Sequence, residues 1–128
     1  AMNAVIAAEK ALGNTVIDVS AEKCGWDLTS RYPLKADGTQ SHEDRHIEVK
    51  GRAKGATNVT MTRNEICYAI NQKDKFILPL VIVDGDKTEG PFYIRNIWEN
   101  ELNFGVANEN YEIADLMTKA EKPEETLL

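Results

Sequence analysis

The side chains best suited to chemistry in this chain lie in the segment RHIEVKG. The segment is typical of a β-strand, and because side chains alternate across a strand, Glu48 and Lys50 share one face, with His46 beside them. Ile47 and Val49 take the opposite face and can enter a core. The strand therefore predicts a carboxylate and an ammonium group side by side on a polar face.

A second carboxylate, Asp27, lies upstream between two bulky apolar residues in another short predicted strand. An aspartate on one strand and Glu-x-Lys on the next can build a one- or two-metal phosphodiesterase site. Asp27 and Glu48 would hold a hard divalent cation, Mg²⁺ or Mn²⁺, through oxygen. The cation would lower the pKa of the attacking water and neutralise charge on the phosphate, while Lys50 would orient or deprotonate that water.

Each part of this pattern also has a plainer interpretation. Glu-Val-Lys is common on the solvated face of a strand, and Asp27 can be a turn residue beside Gly25. The ordered combination, with its spacing and flanking elements, favours the site.

At these residues the chain resembles the PD-(D/E)xK nuclease superfamily. Within it the chain is similar to the family named after the C-terminal domain of the plant protein NO VEIN, over most of residues 4–97. The resemblance implies an α/β (α+β) domain with a restriction-endonuclease-like core, in which helices flank a central mixed sheet. Trp26 stands where the superfamily takes its name from a proline.

The resemblance also implies a function, a metal-dependent DNA endonuclease. Asp27 and Glu48 would be metal ligands, helped by the backbone carbonyl of Val49, and Lys50 would be the catalytic lysine. Related domains are often attached to helicase-like or other nucleotide-driven proteins, including bacterial defence systems, so a parent or partner ATPase is expected. One alternative is an inactive nuclease-fold module that binds DNA or protein. Another is an interaction domain whose charged strand is merely solvated.

Two further carboxylates have competing interpretations. Glu9 falls on the apolar stripe of a predicted helix, either as an edge residue that reaches solvent or as an accessory residue of the site. The resemblance favours the site, with His46 at its rim. Glu65 completes the capping box Thr62-x-x-Glu65, which favours a cap over a catalytic acid.

The surrounding sequence predicts the elements that position these residues. They are a helix over 4–12, strands over 15–20, 26–31 and 45–50, a loop over 33–43, a basic turn over 51–58, a helix after Thr62, strands over 76–83 and 92–97, and a helix or strand over 111–117. Residues 26–31 and 45–50 are expected to pair antiparallel.

A net charge of −6 argues at first against nucleic acid. Residues 109–128 hold six acids against two lysines, so −4 of that charge lies there. Around the candidate site, basic residues outnumber Glu48, and the candidate DNA-binding residues are Arg45, Arg52, Lys54 and Arg63. We expect modest, strongly salt-dependent DNA affinity.

Length and composition predict one domain over residues 2–118, followed by a flexible tail or linker over 119–128. The chain has no long apolar run and no signal-peptide pattern, which predicts a cytoplasmic protein that does not bind membranes. Cys24 and Cys67 are isolated, as is typical of reduced thiols.

Overall fold

In a computed structural model that describes residues 1–22, 24–72, 74–95 and 108–128, three helices and eight strands form. No helix in these ranges is long and apolar enough to cross a membrane. The helices are α1 (Met2–Ala11), α2 (Arg63–Asn71) and α3 (Ile113–Met117). The strands are β1 (Thr15–Asp18), β2 (Leu28–Arg31), β3 (Arg45–Ile47), β4 (Lys50–Ala53), β5 (Asn58–Thr62), β6 (Phe76–Asp84), β7 (Lys87–Ile94) and β8 (Asn108–Glu112).

The main sheet is mixed, and β6 lies at its centre. Strands β1, β2 and β3 follow one another in antiparallel pairs, and β3 then runs parallel to β6. Strand β4 continues the parallel pairing along β6, and β7 returns antiparallel to it. Strands β5 and β8 form a separate two-stranded antiparallel sheet. The predicted pairing of the second strand with the third is confirmed, and so is the mixed central sheet.

The two longer helices cover opposite faces of the sheet. Val5 of α1 packs in one core with Leu28, Ile47 and Val81. Another core contains α2 and the alternate residues of β6; its members include Ile66, Ala69, Phe76, Leu78 and Leu80. Residues 76–81 are all buried because β6 is covered on both sides, as its unbroken apolar sequence predicts.

Several predicted boundaries differ from the structure. The strand predicted over 45–50 is divided into β3 and β4, and half of the predicted basic turn over 51–58 belongs to β4 or to the start of β5. The segment predicted as a helix or strand, 111–117, contains the end of β8 and all of α3. The return strand ends at Ile94, and residues 96–97 of its predicted range lie outside the described residues.

A buried ion pair joins α1 to β3 and corrects two predictions. Arg45 is 3 % exposed, and its Nε and Nη2 donate to the two carboxylate oxygens of Glu9 at 2.9 and 3.1 Å. The Tyr93 hydroxyl donates to the same carboxylate at 2.6 Å. The prediction that Arg45 binds DNA is therefore wrong, and Glu9 does not serve the site as predicted. A charged group removed from water needs a close partner of opposite charge, and Arg45 and Glu9 are each other's partner.

The last residues are docked, contrary to the predicted flexible tail over 119–128. Glu121 exchanges two backbone hydrogen bonds with Tyr93, at 3.0 and 2.8 Å, and its carboxylate binds Arg95. The side chain and carbonyl of Thr126 accept hydrogen bonds from Arg45 at 2.8 and 3.1 Å. The buried guanidinium has more donors than Glu9 can satisfy, and the C-terminal segment supplies the missing acceptors.

This network generates a stability prediction. We expect Arg45→Ala to lower the free energy of unfolding by about 3–5 kcal/mol, because it leaves the Glu9 carboxylate buried without its charged partner. Arg31 pairs with Asp44 near the surface, so the control Arg31→Ala should cost at most about 1 kcal/mol. Urea denaturation of both variants measures the difference, and equal small losses would contradict a structural role for the buried pair.

Candidate active site

A break in one strand, clamped by Asp27, organises the candidate site. The ladder along β6 keeps its register across the break, since His46 pairs with Phe76 and Lys50 with Leu80. At the break, the Asp27 N–H donates to the carbonyl of Ile47 at 2.9 Å, and the Val49 N–H donates to Asp27 Oδ2, also at 2.9 Å. The Asp27 carboxylate thus takes the place of a neighbouring strand.

Glu48 and Lys50 share the face of the sheet that α2 covers. Ile47 and Val49 pack on the other face, in the core that contains Val5 of α1, so the predicted alternation is confirmed. Lys50 Nζ lies 3.7 Å from Glu48 Oε1. Glu48 is only 7 % exposed, whereas Lys50 is half-buried. The acid therefore lies deeper than the amine.

A third acid, Glu65, reaches this cluster from α2, and sequence reasoning did not include it in the site. Lys50 Nζ lies 3.1 Å from each of its carboxylate oxygens. The predicted capping box is also confirmed, because Glu65 Oε1 accepts the Thr62 N–H at 2.8 Å and the Glu65 N–H donates to the Thr62 hydroxyl at 3.2 Å. One carboxylate thus caps the helix and holds Lys50. The box fixes where Glu65 stands on its helix, but only the packing of α2 on the sheet brings it to Lys50.

The three acids of the cluster, Asp27, Glu48 and Glu65, are not all ionised at neutral pH. Burial raises the pKa of Glu48 to about 10, and the hydrogen bond and charge of Glu65 and the charge of Asp27 add to the rise. Burial also raises the pKa of Glu65, but the hydrogen bond from Glu48, the Thr62 N–H and the Lys50 ammonium together lower it to about 2. Burial raises the pKa of Asp27, and the Val49 N–H partly offsets this. At neutral pH the two glutamates therefore share one proton.

The donor set fits a hard divalent cation. The predicted ligands, Asp27, Glu48 and the Val49 carbonyl, would offer oxygen atoms alone, as Mg²⁺ and Mn²⁺ prefer. A buried carboxyl that must hold a proton beside other acids is also a place where a cation can replace that proton. In the ranges that the structure describes, no group of three His, Cys, Asp or Glu side chains is arranged to hold a metal. Water and substrate would therefore have to complete the coordination.

The other predicted residues lie at different distances from this cluster. Arg52 is exposed on β4, two residues beyond Lys50 and so on the same face. Lys54 is exposed and pairs with Glu89 at 2.6 Å, and Arg63 begins α2. His46 lies among aromatic rings, and burial lowers its pKa, with the charge of Lys75 as a smaller cause. Arg45 is removed from this set because it belongs to the α1 face.

The shared proton predicts how stability depends on pH. Between about pH 4.5, the ordinary pKa of glutamate, and about pH 10, the folded protein keeps a proton on Glu48 that the unfolded chain releases. The free energy of unfolding should therefore fall as the pH rises through this window. Glu48→Gln removes that titration and should raise the melting temperature at the alkaline end by roughly 4 °C or more, the effect of about 1 kcal/mol in a domain of this size.

Melting curves of the metal-free protein across the window test this. Glu22→Gln, at an exposed position, is the matched control and should leave the pH profile unchanged. If Glu48→Gln melts at the same temperature as the parent protein at every pH, the Glu48 carboxyl does not carry the raised pKa.

Comparison with known proteins places this geometry in a family. The family model described as Protein NO VEIN, C-terminal, matches residues 1–94. Among solved structures, the chain is similar to Hjc, a Holliday junction resolvase from the hyperthermophilic archaeon Archaeoglobus fulgidus. The TM-score is 0.56 at 12% identity, and the match covers 96% of each chain. At this identity the likeness shows the fold, so the predicted restriction-endonuclease-like core is confirmed. No curated protein matches the chain.

Proposed function

Because this chain belongs to the family of the NO VEIN C-terminal domain and has the fold of a resolvase, we propose that it is a metal-dependent DNA endonuclease. The observation that carries the proposal is the cluster of Glu48, Lys50 and Glu65, with the ammonium 3.7 and 3.1 Å from the two acids. Asp27 lies close enough to raise the pKa of Glu48. The reaction is hydrolysis of a phosphodiester bond.

In this proposal the residues of the strand break would hold the cation, beside the place of the substrate phosphate. Asp27, Glu48 and the Val49 carbonyl would be the ligands, and the Glu48–Glu65 pair would have to release its shared proton for Glu48 to serve as one of them. The bound cation would neutralise charge on the phosphate and lower the pKa of a nearby water.

Lys50 and Glu65 have different roles in the reaction. Lys50 donates a hydrogen bond to the attacking water and holds it in line with the bond to be broken. The water oxygen forms a bond to phosphorus and its proton passes to solvent, while the P–O bond to the leaving oxygen breaks and that oxygen takes up a proton from solvent. Glu65 does not touch the substrate, and as a positioning residue it fixes the Lys50 ammonium through both of its oxygens.

DNA as the substrate class is supported by the resolvase fold and by the exposed basic side chains of Arg52 and Lys54 beside the site. The burial of Arg45 and the net charge of −6 favour a weak intrinsic affinity for DNA. We therefore include in the proposal a cytoplasmic parent or partner protein with a helicase-like ATPase, as in defence systems, that delivers the DNA. The support for this last point is the resemblance to a family whose related domains are often attached to such proteins.

The first test is cleavage. With Mg²⁺ or Mn²⁺ at low salt, the protein should nick or cut DNA, and Lys50→Ala should abolish cutting. Lys10→Ala is the control, since this exposed lysine lies on α1, on the opposite face of the sheet, and should retain most of the activity. Gel assays on single-stranded, duplex and branched DNA measure the rates. An active Lys50→Ala protein would show that the cutting arises elsewhere, and no cutting of any DNA would favour the binding module instead.

The second test separates metal binding from catalysis. A cation that binds only the folded protein should raise its melting temperature as its concentration increases. Because Asp27 and Glu48 supply the side-chain ligands, Asp27→Asn should remove this shift, whereas Lys50→Ala should keep it. An equal shift in the parent protein and in Asp27→Asn would place the bound cation outside the strand break.

The third test concerns Glu65. Glutamine can also complete a capping box, so Glu65→Gln should keep the helix cap while it removes the charge that holds Lys50. We expect cleavage to fall by about tenfold to a hundredfold, as for other groups that orient a catalytic side chain. The melting temperature and the substrate concentration for half-maximal rate should change little. A loss of rate that merely follows a loss of folded protein would assign Glu65 a capping role alone.

A further inference from the structure

Three aromatic rings lie directly beside the candidate active site. Trp26 precedes Asp27, His46 lies on the same strand face as Glu48, and Tyr68 lies one helical turn beyond Glu65. The rings therefore project from the same three segments that carry the polar cluster. The proposed mechanism gives these three rings no role.

The rings form a fixed stack. The Trp26 and His46 rings are parallel within 7°, with centroids 4.0 Å apart, and the Tyr68 centroid lies 4.7 Å from Trp26. The Trp26 indole N–H donates to the Thr29 hydroxyl at 2.9 Å, and the Tyr68 hydroxyl is hydrogen-bonded to His46 Nδ1. These two hydrogen bonds hold the rings in place.

One face of the indole is left uncovered by the other two rings. If His46 and Tyr68 lay on opposite faces of Trp26, their centroids would be separated by nearly the sum of their distances to it. The observed separation is 5.7 Å, so both lie toward one side. All three residues are half-buried, whereas Phe76, whose ring neighbours Tyr68 in the core, is buried. The three residues of the stack thus keep part of their surface exposed next to the site.

A shallow, open cavity of about 310 Å³ lies along the Tyr68 side of this stack. Its wall combines carboxamides, thiols and backbone with the phenol ring, and its lining residues are Cys24, Gly25, Asn64, Cys67, Tyr68 and Asn71. Both cysteines are free thiols. Carboxamides donate and accept hydrogen bonds in the pattern that base edges present, and aromatic rings stack on base faces. No lining side chain carries a full charge, which suits a base and not a phosphate.

On these contacts we propose that the stack of Trp26, His46 and Tyr68 and its cavity form a subsite for one unpaired nucleobase next to the scissile phosphate. This inference rests on the proposed function, since that function places the scissile phosphate at the strand break beside Lys50. A base within a duplex is stacked on both faces and paired along one edge, so it cannot enter the cavity. The subsite therefore selects DNA with an unpaired nucleotide at the cutting position.

Binding without cleavage tests the subsite. In metal-free buffer, fluorescence anisotropy compares a blunt duplex oligonucleotide with the same duplex carrying a single-stranded extension. The parent protein should bind the extended duplex more tightly. Tyr68→Leu and Asn71→Ala should weaken binding to the extended duplex and leave the blunt duplex unchanged. Tyr68→Leu should cost about tenfold to a hundredfold, the usual effect of removing one base-stacking ring.

Two controls keep the result specific. Arg52→Ala removes a charge and no ring, so it should weaken binding to both duplexes alike. Asn71 is exposed, so Asn71→Ala gives a result even if Tyr68→Leu does not fold. In a Trp98→Phe background Trp26 is the remaining tryptophan, and its fluorescence should be quenched by the extended duplex only. Losses that are equal for both duplexes, or no loss at all, would overturn the subsite.

The outcomes separate this inference from the proposed function. Cleavage that depends on Lys50 but shows no preference for unpaired nucleotides would retain the endonuclease and overturn the subsite. Selective binding that depends on Tyr68, without cleavage of any DNA, would retain the subsite and overturn the endonuclease.

Discussion

The clamp at Asp27 is the interaction on which the candidate site depends. A strand that leaves its regular ladder exposes backbone donors, and a buried donor without a partner is costly. Here the Val49 N–H finds its acceptor in the Asp27 carboxylate. The pairing with β2 can therefore end at Ile47, while the pairing with β6 continues in register from β3 to β4. The same carboxylate that repairs the break is one of the proposed ligands, so the backbone geometry and the metal chemistry are inseparable at this position.

The second organising element is the distribution of protons and charges among the three acids. Lys50 offers one positive charge to Glu48 and Glu65, which cannot both be ionised without excess negative charge in a half-buried space. The proton that Glu48 retains settles this conflict in the metal-free protein. A buried acid that is neutral only because it keeps a proton is what a site prepared for a cation would show, because a divalent cation would replace that proton and balance the charge of both acids.

How much of this could be predicted from the sequence depended on whether a feature was local. Alternation along residues 45–50 placed Glu48 and Lys50 on one face, and the Thr62 box located the start of α2. Two side-chain contacts with distant partners were missed. Arg45 is a surface cation by its residue type, and only its packing against Glu9 makes it a buried one. Glu65 has a complete local explanation as a cap, so no sequence signal pointed to its second contact with Lys50.

The alternation of residues 45–50 has a consequence for how the family can evolve. On the α1 face, Arg45 holds the helix and the C-terminal segment together; on the α2 face, Glu48 and Lys50 build the site. The two sets of polar residues contact different partners, and mutations in groups without shared partners act additively. A lineage could replace Glu48 without weakening the scaffold, because burial of that carboxyl works against stability. The domain could thus lose the proposed cation site by neutral drift and keep its fold, with the pair of Arg45 and Glu9 retained throughout.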